Sequence, residues 1–339
     1  MHEPTRVEKF ESNAKSTKGE MNMSKTIHIA TACLSLSVAG AVHATIFSPS
    51  GSNAPAVLFD ANGYNAGTGV MPNLGTLGSS ANTFNPTASV DPVWGNVTGI
   101  PSTTAGQFGT GLGAVTFTTA GQNSGESLGY NADGLPTGAS AAMTYFVVAD
   151  DFNTGPGLGS APWRHSFFGY GEGQTDNDGD GAVFWSRPDV GGALEISVDT
   201  SGGPGVSLAP PNDEVVVVAV SIDVASNTGT FTMRTSGGLT TLSEEDPPDC
   251  CAWDVSAVHG YLNGNGDGGN LAYMADWKLG AAAIIPANLN DTDREAIVNA
   301  LYGRYALGSG EALIPEPSTA LLLGIGLAGL LSSARKRRS

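Results

Sequence analysis

The chain has 339 residues, a formal net charge of −17, only 14% charged side chains and 47 glycines. An acidic field of this size repels phosphate backbones and anionic lipid, which removes nucleic acid and acidic membrane surfaces as partners. Glycine and small polar residues at this density, with few charges, suit a turn-rich β protein.

Residues 1–20 are polar, carry no apolar pattern and read as an over-long start, with Met21 or Met23 as the true beginning. From there Lys25 gives a positive n-region, Ile27–Val42 a mostly apolar h-region, and Val42-His43-Ala44 a small-residue cleavage site. That is the pattern of a secretory signal peptide, with 1–44 removed and Thr45 the mature N-terminus. A lipoprotein reading through Cys33 leaves too short an h-region after Lys25. Without 1–44 and 315–339, six Lys and Arg face twenty-seven Asp and Glu, a net charge of −21. The remaining length suits one large β domain, 45–310, with no internal boundary or repeat.

Strand periodicity runs through that domain. Ala56–Phe59 is a short apolar run and Ala114–Thr118 alternates. Met143–Ala149 is β-branched and aromatic without alternation, which predicts a strand buried on both faces. Leu194–Asp199 alternates, and Val215–Ile222 is continuously apolar. A turn at Asn227-Thr228-Gly229 followed by Thr230–Arg234 predicts a hairpin with Phe231 and Met233 on one side. Ala272–Ile285 is the last β-rich stretch.

One helix follows. Asn290 or Asp291 can cap it, Asp293 and Glu295 sit in its first turn, and Ile297, Val298, Leu301, Tyr302 and Tyr305 share a face. Gly303 costs roughly 1 kcal/mol against alanine in a helix interior, so packing must hold that end. Strands followed by one amphipathic helix predict an all-β, two-sheet sandwich with the helix laid against it.

Three stretches carry a family resemblance: Leu58–Gly63 with Met71-Pro72-Asn73-Leu74-Gly75, the strand Ala114–Phe117, and the closing segment Asp276–Leu307. Together they resemble the concanavalin A-like (laminin G-like) jelly-roll domains of secreted bacterial proteins. The closing strand, the Leu289–Asn290 cap and a short helix ending at Tyr305 match that pattern, while Phe59 stands where such domains often have Trp. The resemblance implies a jelly-roll sandwich.

The chemistry is sparse. Asp176-Asn177-Asp178-Gly179-Asp180-Gly181 sets carboxylates at alternate positions, as at the start of a calcium loop, where oxygens converge at ~2.3–2.6 Å. The twelfth position is Arg187, so this is no EF-hand. A β-loop Ca²⁺ site on Asp176, Asp178 and Asp180 and a solvated acidic turn both fit. Asn263–Asn270 is a second candidate loop, or merely a tight glycine turn. Cys250 and Cys251 are adjacent. Neighbouring Cα atoms lie ~3.8 Å apart, under the ~4.4–6.8 Å of relaxed disulfides, so a vicinal disulfide is strained. Free or intermolecularly bridged thiols are the alternative. Trp163 and Trp253, in loop-like contexts, are candidates for stacking on a sugar, with core packing as the other use of aromatics.

Jelly-roll glycosidases with this fold carry two Glu flanking an Asp along one strand, and this sequence has no Glu-x-Asp-x-Glu. Glu195 and Asp199 share a strand face at i and i+4, ~13 Å apart, too far for a retaining pair at ~5–5.5 Å. Only His165 and His259 lie in the mature chain, without a nucleophile motif. The expectation is therefore a non-enzymatic protein with no cofactor other than Ca²⁺.

The chain ends on Pro315, Glu316 and Pro317, an apolar run Ala320–Leu331, and Arg335-Lys336-Arg337-Arg338. Seventeen residues from Ser318 to Ala334 reach the low end of a membrane span, and the basic cluster sets a cytoplasmic C-terminus. The prolines keep the segment outside the bilayer extended. This order resembles the PEP-CTERM sorting signal of Gram-negative bacteria, here 311–339. The resemblance implies processing by the membrane protease exosortase, transient inner-membrane attachment, and delivery to the cell surface or an exopolysaccharide matrix. A structural or adhesive matrix role and a lectin-like module with calcium-assisted binding are the two leading readings that follow; the third, a glycan hydrolase, requires a carboxylate pair that the sequence does not show.

Overall fold

The computed structural model describes residues 46–47, 54–78, 80–83, 97–109, 111–121, 124–138, 140–151, 165–171, 181–187, 193–198, 205–206, 209–211, 213–226, 228–245, 259–267, 270–272 and 274–308. Short strands β1 (Val57–Asp60), β2 (Val70–Met71), β3 (Ala81–Thr83) and β4 (Val97–Gly99) come first. The hairpin β5 (Ser102–Phe108) and β6 (Leu112–Phe117) precedes β7 (Thr119–Gly121), β8 (Ser124–Glu126) and β9 (Leu128–Asn131). Next are β10 (Ala142–Asp150), β11 (His165–Gly171), β12 (Gly181–Arg187), β13 (Ala193–Val198) and β14 (Gly205–Val206). A meander of β15 (Val216–Asp223), β16 (Thr228–Thr235) and β17 (Gly238–Glu245) follows. Finally β18 (His259–Leu262), β19 (Asn265–Asp267), β20 (Asn270–Ala272) and β21 (Trp277–Ile285) lead to helix α1 (Asp291–Tyr302).

The strands build two eight-stranded antiparallel sheets. The first runs β17-β16-β15-β10-β21-β6-β5, and β1 also pairs with β21. One flank of β21 is thus shared: Trp277–Leu279 pair with β6, and Ala281–Ile284 pair with β1. The second sheet runs β14-β13-β12-β11-β18-β9-β3-β2.

Alternation places the two faces of the first sheet in different environments. Tyr145, Val147, Val218, Val220 and Phe231 face the second sheet and share one core with Leu128, Tyr130, Phe168, Tyr170 and Leu262. Tyr145 meets Phe168 edge-on at 5.7 Å, Phe59 meets Tyr130 at 5.2 Å, and Trp277 stacks on Phe117 at 5.2 Å. The opposite face presents Phe146, Val148, Val217, Ala219, Ala283 and Ile285 to Ile297, Val298, Leu301 and Tyr305 of the helical end. Ile46 and Phe47 join this second core, with Phe47 edge-on to Phe146 at 5.7 Å. Burial on both faces explains why Met143–Ala149 shows no alternation.

The predicted opening motif closes on itself. Asn73 Oδ1 accepts from the backbone N–H of Leu58 at 2.8 Å and of Gly75 at 2.8 Å, tying the Met71–Gly75 stretch to β1. A Cβ on Gly75 would lie 2.4 Å from the Ala56 carbonyl oxygen, so only glycine fits.

Three local details differ from expectation. The β15–β16 turn falls at Val224–Ser226, earlier than Asn227–Gly229, because Asp223 Oδ1 accepts from Ala225 N at 3.1 Å and Ser226 N at 3.4 Å. The last β-rich stretch splits: Asn270–Ala272 pairs with β19, and the long strand begins only at Trp277. The helix widens at Gly303 into a π-turn, Gly303–Leu307, closed by Gly308 at φ 75°. Of the two candidate caps, Asn290 serves, accepting from Asp293 N at 2.9 Å. Among the described residues no helix is long and apolar enough to cross a membrane.

Candidate functional site

Asp176, Asp178, Asp180, Trp163, Trp253, Cys250, Cys251, Pro315, Glu316 and Pro317 all lie outside the described residues, as do the signal-peptide and tail segments. The strands that lead to several of them are described, and their register fixes where each segment leaves the second sheet. Gly171 ends β11 and pairs with Gly181, the first residue of β12, so 172–180 connects two neighbouring strands. Gly171 also pairs with His259, and His259 with Asn131. The acidic stretch therefore leaves the sheet at the end where the chain from Cys250, Cys251 and Trp253 enters β18. Trp163 precedes His165, which pairs with Ser186 at the other end of β11. A strand of seven residues is ~20 Å long. The chain segments that carry the two tryptophans thus join the described strands at opposite ends of one sheet.

The end near Gly171 is braced by buried phenols. Tyr130 Oη donates to the Gly169 carbonyl at 3.0 Å, and its ring covers Gly260, where a Cβ would sit 2.0 Å from the ring. Tyr170 Oη donates to the Pro136 carbonyl at 2.8 Å. Burial raises both hydroxyls well above the ordinary tyrosine range, so they act as neutral donors and add no charge. Asn131, on the same rim, accepts from Asp133 N at 2.8 Å. These contacts hold strands β9, β11 and β18 in one fixed register.

The second candidate loop is read differently once its first residue is seen. Asn263 is fully buried at φ 66°, accepts from Ala275 N at 2.8 Å and donates to the Glu126 carbonyl at 2.8 Å. Its amide is committed to the backbone and is unavailable to a metal. Asn265–Asp267 and Asn270–Ala272 then pair as β19 and β20. No group of three metal-ligating side chains occurs among the described residues.

Two polar clusters escaped the sequence reading. Where β10 ends, Gln107 Nε2 donates to buried Asp150 at 2.5 Å, and Asp150 Oδ1 accepts from Asp151 N at 2.8 Å. Asp151 holds φ 52° and pairs with Lys278. Under the helix, Arg294 is 1% exposed and donates to Thr232 Oγ1 at 2.8 Å, the Leu289 carbonyl at 3.0 Å, Ser221 Oγ at 3.3 Å and Asp291 Oδ1 at 2.5 Å. Its place three before Ile297 and four before Val298 put it on the buried stripe. Its charge alone pointed outward.

A PEP-CTERM protein-sorting motif matches residues 313–338. The chain carries an exosortase sorting signal. A PEP-CTERM motif marks a secreted, exosortase-processed surface protein. No curated protein matches the chain in sequence. Among solved structures, an arabinofuranosidase complexed with arabinofuranosyl-α-1,2-xylobiose is 15% identical over 68% of this chain and 50% of its own, at a TM-score of 0.47. A leech intramolecular trans-sialidase is 13% identical over 55% of this chain and 27% of its own, at 0.38. The CBM40 of a Ruminococcus gnavus IT-sialidase, bound to α2,3-sialyllactose, is 13% identical over 50% of this chain and 97% of its own, at 0.37. The chain thus spans about a quarter to a half of the length of the two enzymes. At these values the likeness assigns no activity to this chain.

The comparison does correct the expectation of a non-enzymatic protein, because the similar structures include a trans-sialidase and an arabinofuranosidase. That exclusion rested on motifs within single strands. Carboxylates can also be brought together from neighbouring strands, and no spacing along the chain reports such a meeting.

Proposed function

We propose that this is a carbohydrate-binding protein of the cell surface or exopolysaccharide matrix, built on a concanavalin A-like jelly-roll sandwich and released or attached by exosortase. The observation that carries the reading is the sorting motif at 313–338 following a large antiparallel β body. In this reading 1–44 is a signal peptide removed during export through the inner membrane of a Gram-negative cell, and cleavage near Pro315–Pro317 completes maturation. The sugar site lies at the Gly171–Gly181–His259 end of the second sheet. Asp176, Asp178 and Asp180 hold Ca²⁺ there as hard oxygen ligands, and Trp253 stacks on a sugar ring. Trp163, attached to the far end of β11, serves at most a separate subsite. Cys250 and Cys251 flank the same site as a vicinal disulfide or as thiols. Support comes from register, which leads the acidic stretch and the Trp253 segment to one rim of one sheet.

The test is a glycan array probed with the secreted mature protein, with calcium and with EDTA. The expected result is binding to a defined glycan class, lost in EDTA and in Asp178→Ala. Absence of binding in both conditions would refute the reading, and calcium-independent binding would remove the metal from it. Turnover of the bound glycan would make the site hydrolytic.

A further inference from the structure

The edges of the two sheets are not finished alike. β2 and β14 close the second sheet with two residues each. At one end of the first sheet, β5 loses its register between Thr104 and Phe108, around Gly106 at φ 66°. Short or irregular edge strands of this kind resist pairing with another chain. At the other end, β17 keeps unbroken register with β16 from Gly238 to Glu245. Its stretch Gly238-Leu239-Thr240-Thr241-Leu242-Ser243 holds no charge and no proline. Thr240 and Ser243 are exposed, and Leu242, opposite the core residue Phe231, is still 38% exposed.

The hairpin fixes which peptide groups of this edge point away from the sheet. Ser236 and Gly237 make a two-residue turn, so Thr235 and Gly238 exchange both hydrogen bonds. Alternation then directs the peptide groups of Thr240, Leu242 and Glu244 to β16, and those of Leu239, Thr241, Ser243 and Glu245 outward. Among the described residues, Leu239, Thr241 and Ser243 have no backbone partner on that side. β14, the corresponding edge of the second sheet, comes close to β17 without pairing with it.

We infer that β17 is a self-association edge, through which two copies of this chain pair antiparallel and join their first sheets into one. The outward peptide groups suit a register centred on Leu242. Leu242 then lies opposite Leu242 of the second copy, in a pair with Cα atoms ~4.5 Å apart, and the two exposed leucines cover each other. Thr241 exchanges hydrogen bonds with Ser243 of the second copy, and Leu239 with its Glu245. Charge favours a second copy over another extended segment. Arg234 pairs with Leu239 across the hairpin and lies over the Tyr302 ring at 4.9 Å, with no carboxylate partner among the described residues. The register brings Glu245 of the second copy beside Leu239, two strand spacings of ~4.8 Å from Arg234, and the two-fold axis repeats the approach. It also keeps the two acidic strand ends apart. An eight-residue edge is ~26 Å long and buries less than the ~800 Å² per partner of a standard interface. The dimer is therefore weak and concentration-dependent.

The experiment is sedimentation velocity of the secreted mature protein over a roughly hundred-fold concentration range, in about 0.15 M salt to screen the acidic copies from each other. A monomer-to-dimer rise is expected. Its midpoint should move up at least ~10-fold in Leu242→Lys, which charges the edge, and in Ser243→Pro, which removes an outward N–H. In a Cys250→Ser/Cys251→Ser background, Leu242→Cys should form an intermolecular disulfide under mild oxidation. Thr240→Cys should not, because this register sets it ~13 Å from its counterpart. Wild type that stays monomeric throughout, a midpoint unmoved in both variants, or equal cross-linking of Leu242→Cys and Thr240→Cys overturns the inference. Equal melting of variants and wild type at the lowest concentration excludes misfolding as the cause of a lost dimer. Where a variant melts lower, the two cysteine substitutions decide.

Discussion

Replacing Arg294 tests how the helix is held to the sheet. Arg294 fills a fully enclosed site between α1 and the outer face of the first sheet. In Arg294→Met the stem volume is largely kept. Thr232 retains Thr241 at 3.1 Å and Ser221 retains Thr144 at 2.8 Å, so the Leu289 carbonyl is the group that loses its partner. One unsatisfied carbonyl costs ~1–3 kcal/mol, offset by no longer desolvating a guanidinium. The exposed Asp291 end of the ion pair contributes little. Arg294→Ala adds a cavity and should cost ~3–5 kcal/mol. For a body of roughly 270 residues, 1 kcal/mol moves the melting temperature by about 2 °C. Thermal denaturation of the secreted protein should therefore show Arg294→Ala lower by about 6–10 °C. Arg294→Met should be lower by at most about 4 °C. Equal losses would mean that charge, rather than filled volume, fastens the helix, and the reasoning would fail.

Tyr130, Tyr145, Tyr170 and Tyr305 are all raised above the usual tyrosine range, with burial the first cause. Their stabilising effect is complete below pH ~10, the unfolded value, and is lost as pH rises above it; by pH 11 about 1.4 kcal/mol has been lost for each. Phenolate absorbance should therefore rise together with loss of β-sheet circular dichroism, and earlier ionisation of these groups would contradict the packing. Leu301→Ala, at a site 1% exposed in the helix–sheet core, should cost ~2–5 kcal/mol in a denaturant titration. Gly280→Ala crowds Phe108 and Tyr305 and should cost ~1–3 kcal/mol; a neutral result would show that this packing yields easily.

Elements buried on both faces were the most legible. The runs that became β10 and β15, and the apolar face of α1, announce themselves because burial dictates composition residue by residue. Arg294 was not legible, since its burial depends on Ser221 and Thr232, distant in sequence and brought beneath it by the β15–β16 pairing. The π-turn was hidden for a similar reason: Gly303 signals a weak helix position, but what widens the turn is the seat of Tyr305 against Phe108. For the candidate sugar site, residue types could be named while their grouping could not. Trp163 and Trp253 look equivalent in the sequence, and only the strand order β12-β11-β18 with its register shows that the segments carrying them join opposite ends of the sheet.

The position of β21 bears on the timing of assembly. This strand lies between β10 on one side and β1 with β6 on the other, yet it is the last strand among the described residues. Phe59 waits for Ala282, and Phe146 for Ala283. Until those residues arrive, the first sheet lacks its middle and its two halves have no common partner. Contacts of such separation close slowly. A chain emerging N-terminus first would thus stay open until the residues just ahead of the sorting motif had emerged, so folding and sorting would fall in the same interval.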